Sequence, residues 1–140
     1  MSTVTELFRF EAQRAVPRER LELTPERGID GDDHAGPGDK QVVLADDAAM
    51  AAVRSDPDRG LCYRRFVPNI TATGLRRADW PAGRRFSCGT ALLEVTGYKH
   101  CFPGECPLPA DGGCPLRDGV LFAKVCRAGI VAENDTIAAK

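Results

Sequence analysis

The chain is short of several things, and each shortage removes a class of function. No segment of its 140 residues approaches the roughly 18 to 20 consecutive apolar residues that a membrane-spanning helix needs. The opening MSTVTELFRFEAQRAV has no apolar run of the kind that directs secretion, so no signal peptide is expected and a cytoplasmic location is. Neither sign of charge is in excess. The formal net charge is −1, which leaves no broad basic field for nucleic acid or for an anionic membrane surface. Repeats and low-complexity linkers are lacking as well. A chain of this length fits one domain over residues 1–140, with enough apolar surface to fold without disulfide staples.

Cysteine, by contrast, is plentiful. Cytosolic thiols stay reduced, so the six residues Cys62, Cys88, Cys101, Cys106, Cys114 and Cys126 are not read as three structural disulfides. Three of them fall in GYKHCFPGECPLPADGGCPLRDG, residues 97–119, together with a histidine and four prolines. Such a run staples a loop, holds a metal or does chemistry.

Period-two patterns dominate the rest. TVTELFRF alternates as a strand, with Val4, Glu6 and Phe8 opposite Thr5, Leu7 and Arg9. ERLELT is a second alternating piece and KQVVLAD a buried strand. LADDAAMAAVRSDPD reads as a helix, capped by Asp46 or Asp47 and stopped by Pro57. RRFVPNITATGL gives a short strand broken at Pro68. RRFSCGTALLEVTGY gives a hairpin turning at Cys88-Gly89-Thr90, and VLFAKVCRAGIVAENDTIAAK closes the chain with two strands around Ala128-Gly129. Many short strands without regular helical crossovers point to a mainly β fold, a barrel with one or two short helices.

The strand LLEVTGYKHC runs directly into Cys101, which places a thiol on a rigid base. Lys99 and His100 are its neighbours, and nearby positive charge favours the nucleophilic thiolate. On an ideal strand Lys99 shares a face with Cys101 and is the better activator; if the strand has ended, His100 can take that part. Cys62, Cys88 and Cys126 sit in apolar or strand-like sequence and read as small buried hydrophobes. Cys106 and Cys114 stand evenly between structure and function, as resolving thiols for a persulfide or sulfenate on Cys101 or as metal ligands. Zinc fits the spacing poorly. Four residues separate Cys101 from Cys106 and seven separate Cys106 from Cys114, and no second knuckle follows, although His100 or His34 is on hand as a fourth ligand.

A second irregular stretch, RGIDGDDHAGPGDKQVVL, carries His34, Lys40 and several glycines, a composition suited to a phosphate or carboxylate. Asp30, Asp32, Asp33 and Asp39 oppose such a charge. Arg65 and Asn69 flank the next short strand. Asn69 either caps a turn or contacts a ligand, while Arg76-Arg77 and Arg84-Arg85 read as solvated.

The ordered set GIDGDDHAG…KQVVL, FVPNITATGL, AGRRFSCGTALLEVTGYKHC and DGVLFAKVCRAGIVAENDTI resembles the MOSC domain, named for the C-terminal domain of molybdenum cofactor sulfurases. The likeness runs over the whole chain and is closest to the small stand-alone bacterial type. Gly31, Asp32 and His34 match the family's early loop, Phe66 and Asn69 its asparagine turn, Cys101 its strand-end cysteine and Asp135 its closing turn. The resemblance implies a β-rich barrel. It also implies handling of sulfur or of pterin-bound molybdenum, with Cys101 as sulfur carrier or metal ligand and Cys106 and Cys114 as features of the small branch. Some multidomain relatives are molybdenum-dependent reductases of N-hydroxylated compounds.

These readings converge on an expected sulfur chemistry, independent of pyridoxal phosphate. Cys101 transfers sulfur as a persulfide or cleaves a carbon–sulfur bond, with Lys99 and His100 tuning it and moving protons. His34, Lys40, Asn69 and Arg65 hold the anionic part of a substrate or cofactor. The partners are a small-molecule or protein-bound sulfur donor and acceptor. The alternatives are a molybdopterin-binding carrier without turnover and a zinc-stapled structural module.

Overall fold

The computed structural model describes residues 2–100, 106 and 114–140. Among these the chain forms β1 (Ser2–Glu11), β2 (Arg14–Pro17), β3 (Arg20–Thr24), β4 (Gly28–Ile29), β5 (Val42–Asp46), α1 (Asp47–Ser55), β6 (Ile70–Ala72), β7 (Arg85–Cys88), β8 (Ala91–Tyr98), α2 (Pro115–Asp118), β9 (Val120–Arg127), β10 (Gly129–Ala132) and β11 (Thr136–Ala139). Seven strands close a barrel in the order β1-β6-β5-β9-β8-β7-β11, with β11 returning to pair with β1. Closure removes the sheet edges that would otherwise template association. The strand β2 extends β1 as a hairpin, and β10-β3-β4 form a small second sheet. Nearly all pairings are antiparallel; β5 and β6 are parallel, so the chain must cross over between them, and it does so through α1 and the loop that follows.

Alternation along β8 and β9 puts Leu93, Val95, Leu121, Ala123 and Val125 inside. In β1 the simple alternation fails. A register shift between Val4 and Glu6 inserts an extra residue, so Val4 and Leu7, on opposite faces of an ideal strand, both enter the core. Trp80 and Phe86 meet edge to face in the same core at 5.4 Å.

The helix forms where the sequence places it. Asp46 caps α1 by accepting from Ala49 N at 3.1 Å, and its other oxygen accepts from Leu75 N at 3.0 Å. Ala49, Met50 and Val53 face inward. With Ala45, Tyr63, Leu116 and Val120, the last two of these helix residues build a second apolar cluster on the outside of the barrel. Cys62 and Cys114 pack against that cluster. The end of the chain holds three strands rather than the expected two, because Asn134 takes a φ of 72° and turns the chain once more. Asparagine tolerates that left-handed conformation better than most residues.

Cys88 is fully buried in the barrel, as its sequence neighbourhood implies. Burial pushes its thiol up to about 12, and Asp135 adds to the shift. It should therefore resist iodoacetamide in the native protein and react only on unfolding. The folded state also holds this proton above the pH at which an unfolded thiol loses it. Its contribution is complete below about pH 9 and falls as the pH climbs toward 12, by about 1.4 kcal/mol per pH unit. Urea midpoints measured from pH 8 to 11 should drop more steeply for the wild type than for Cys88→Ala.

Candidate functional site

Three segments converge on the outer cluster. The strand β8 ends at Tyr98 and hands the chain to Lys99 and His100. The loop between α1 and β6 brings Leu61, Cys62, Tyr63 and Phe66. The start of α2 brings Cys114 and Leu116. Together they enclose a cavity of about 20 Å³, lined among others by Cys62, Tyr63, Lys99, His100, Cys106 and Cys114. A space of that size holds about one water-sized group.

The Lys99 ammonium donates to the Cys62 sulfur at 3.5 Å and lies 5.6 Å from the centre of the Phe66 ring. On the same apolar face Lys40 sits 5.0 Å over the Phe122 ring. Both cations thus lie against aromatic faces, a placement that favours them electrostatically. His100 is exposed at the cavity rim.

Tyr63 is the most constrained member. It is only 6% exposed, and its hydroxyl finds no hydrogen-bond partner of acceptable geometry among the described residues, although the Cys114 sulfur is beside it. Burial raises its pKa, and the neighbouring Cys114 adds to the rise, so the phenol keeps its proton. Gly60 makes this placement possible. A Cβ there would meet the Tyr63 ring at 2.5 Å, closer than any side chain tolerates.

Of the residues singled out from the sequence, Lys99, His100, Cys106 and Cys114 line this cavity. Cys101 is bonded to His100 in the chain and lies outside the described residues. Cys62 corrects its expected reading. It is half-buried rather than buried, and it faces a cation. Tyr63 went unnoticed in the sequence; the dipeptide Cys62-Tyr63 just after the turn-forming SDPDRG was the available signal.

His34, Lys40, Asn69 and Arg65 do not line the cavity, and the loop of His34 is organised around a carboxylate instead. Asp32 is buried and accepts from Phe10 N at 2.7 Å and His34 N at 2.8 Å. His34 keeps a 70% exposed side chain, with Nδ1 3.4 Å from Asp32 Oδ2. Asn69 is buried; its Oδ1 accepts from Val43 N at 3.0 Å and its Nδ2 donates to Phe8 O and Asp32 Oδ1, each at 3.4 Å. Arg65 is exposed. A pterin phosphate requires donors facing outward. Here the Asn69 amide is spent inside the fold and the histidine faces a negative charge, so His34 and Asn69 do not fit that task. Among the described residues no three His, Cys, Asp or Glu side chains converge as metal ligands.

A family model described as the MOSC domain matches residues 30–102, just over half of the chain. No curated protein matches the sequence. Among solved structures, the YuaD protein from Bacillus subtilis superposes with a TM-score of 0.68 at 17% identity, over 98% of this chain and 94% of that one. YiiM from Escherichia coli gives a TM-score of 0.59 at 17% identity, over 99% of this chain and 69% of that one. YiiM from Geobacillus stearothermophilus gives the same score and identity, over 99% and 73%. At these identities the likeness is one of fold.

Proposed function

Because the chain belongs to the MOSC domain family, whose members are linked to molybdenum cofactor-related proteins, we propose that it is a sulfur-handling enzyme acting through Cys101. The thiolate attacks the outer sulfur of a persulfide donor. A sulfur–sulfur bond to Cys101 forms as the donor's own breaks, and the donor leaves as a thiolate. Nothing is oxidised or reduced overall, so no further reactant is needed. A second nucleophile then takes the sulfur from Cys101 by the same exchange.

One observation supports this reading above the others. Lys99, His100, Cys62 and Cys114 share one small cavity, and Cys101 follows His100 directly in the chain. A cation and several thiols around a space fit for a single small group suit sulfur chemistry better than they suit a large cofactor. Lys99 is the proposed counter-charge for an anionic sulfur, and His100, at the rim, the proposed proton carrier.

The test uses cysteine persulfide as donor. Protein exposed to it, desalted, digested and sequenced by fragmentation should show an added sulfur on Cys101 itself, apart from Cys106 and Cys114 on the same stretch, and cyanide should remove that sulfur as thiocyanate. Absence of added sulfur on Cys101 would reject the assignment.

A further inference from the structure

A buried hydroxyl without a partner is uncommon in folded proteins, because it costs about 1–3 kcal/mol to strip a polar group of water and give it nothing in return. Among the described residues the Tyr63 hydroxyl comes close to such a group: it has the Cys114 sulfur beside it and no oxygen or nitrogen partner. It is held there by design of the backbone: Gly60 leaves room for the ring, and Leu116 and Val53 belong to the same apolar cluster. The cavity beside it is of single-atom size, and its wall includes the Cys114 sulfur.

We propose that Tyr63 and Cys114 form a holding site for one sulfane sulfur, in which the terminal sulfur of a Cys114 persulfide lodges in the cavity and accepts a hydrogen bond from the Tyr63 hydroxyl. The inference rests on the sulfur-handling reading and deepens it, by giving the sulfur a second station. Loading follows the same balance. The Cys114 thiolate bonds to the outer sulfur of a persulfide, the donor's sulfur–sulfur bond breaks, and the donor departs as a thiolate. The terminal sulfur of a persulfide is readily anionic, and a phenol that keeps its proton is a suitable donor to it. Lys99, on the Cys62 side of the cavity, adds positive charge.

Two outcomes separate this from a structural role. If the hydroxyl serves bound sulfur, Tyr63→Phe removes from the resting protein a buried hydroxyl with only a thiol beside it among the described residues, and leaves the melting temperature unchanged or slightly higher. If the hydroxyl instead holds a structural water, the same change lowers it. The full chain is loaded with cysteine persulfide, and the life of the Cys114 persulfide in cyanide is followed by peptide mass mapping. Loss of one hydrogen bond to a charged acceptor should shorten that life about tenfold in Tyr63→Phe. The inference is overturned if Cys114 takes up no sulfur, or if its persulfide lasts equally long in the variant. Cys101→Ala distinguishes the two assignments. Sulfur on Cys114 that depends on Tyr63 in that variant, with transfer to cyanide undiminished, sinks the role of Cys101 and keeps the holding site. In the wild type, sulfur on Cys101 but never on Cys114 does the reverse.

Discussion

Cys101→Ala should lower multiple-turnover transfer of sulfur from cysteine persulfide to cyanide by about three orders of magnitude or more, while the thermal midpoint stays at the wild-type value. Alanine has no lone pair with which to form the covalent intermediate, and the reaction loses its two-step route. What survives is the slow chemistry of the neighbouring thiols. Cys62, Cys106 and Cys114 line the adjoining cavity, so the residual rate in the variant reports on them. A further drop on adding Cys114→Ala would trace that residue to the holding site. Lys99→Met tests the electrostatic part separately: it removes the ammonium facing the Cys62 sulfur and keeps an unbranched apolar stem over Phe66. Thiocyanate release measured colorimetrically, with the midpoint from circular dichroism, gives both numbers. Undiminished turnover in Cys101→Ala would require another nucleophile.

The barrel was readable because strand signals are local. The hairpin β7-β8 announces itself by apolar alternation on both sides of Cys88-Gly89-Thr90, and α1 by its cap and alanine-rich face. The strands β2 and β4 did not announce themselves, since two to four residues are too few to show a period. The bulge in β1 was also invisible; it breaks the parity on which face assignment depends, and only the pairing with β6 reveals it. The cavity follows the same rule. Lys99, His100, Cys106 and Cys114 are close in sequence and are legible together. Cys62 and Tyr63 arrive from the far end of the crossover between β5 and β6, and their part depends on how that loop lies over the outer cluster. Long-range placement hid the tyrosine. For Asn69 the sequence offered a turn cap or a ligand contact, and the bonds it makes to Val43, Phe8 and Asp32 depend on strands far away in the chain.

Asn69→Ala is expected to cost about 2–4 kcal/mol of stability, a large share of what a domain of this size possesses. The side chain joins three elements. Its carbonyl oxygen satisfies Val43 N at the start of β5, and its amide group reaches Phe8 O on β1 and the buried Asp32. Its own backbone continues the ladders on both sides, accepting from Phe8 N at 2.8 Å and donating to Val43 O at 2.9 Å. Alanine leaves the Val43 N–H without its partner in a nearly closed site and leaves a small void. Asn69→Asp sharpens the test. The shape is kept and the bond from Val43 N survives, but an oxygen now faces Phe8 O and the Asp32 carboxylate. Burial and like charge would raise the pKa of the introduced carboxyl in the folded state. Its penalty is therefore smallest at low pH, where the group is protonated and can donate, and it grows as the pH rises through the ordinary carboxylate range. Urea midpoints for this variant, referred to wild type at each pH, should converge toward pH 4 and separate toward pH 7. A ligand-gripping asparagine would behave differently: both variants would keep wild-type stability and lose only binding.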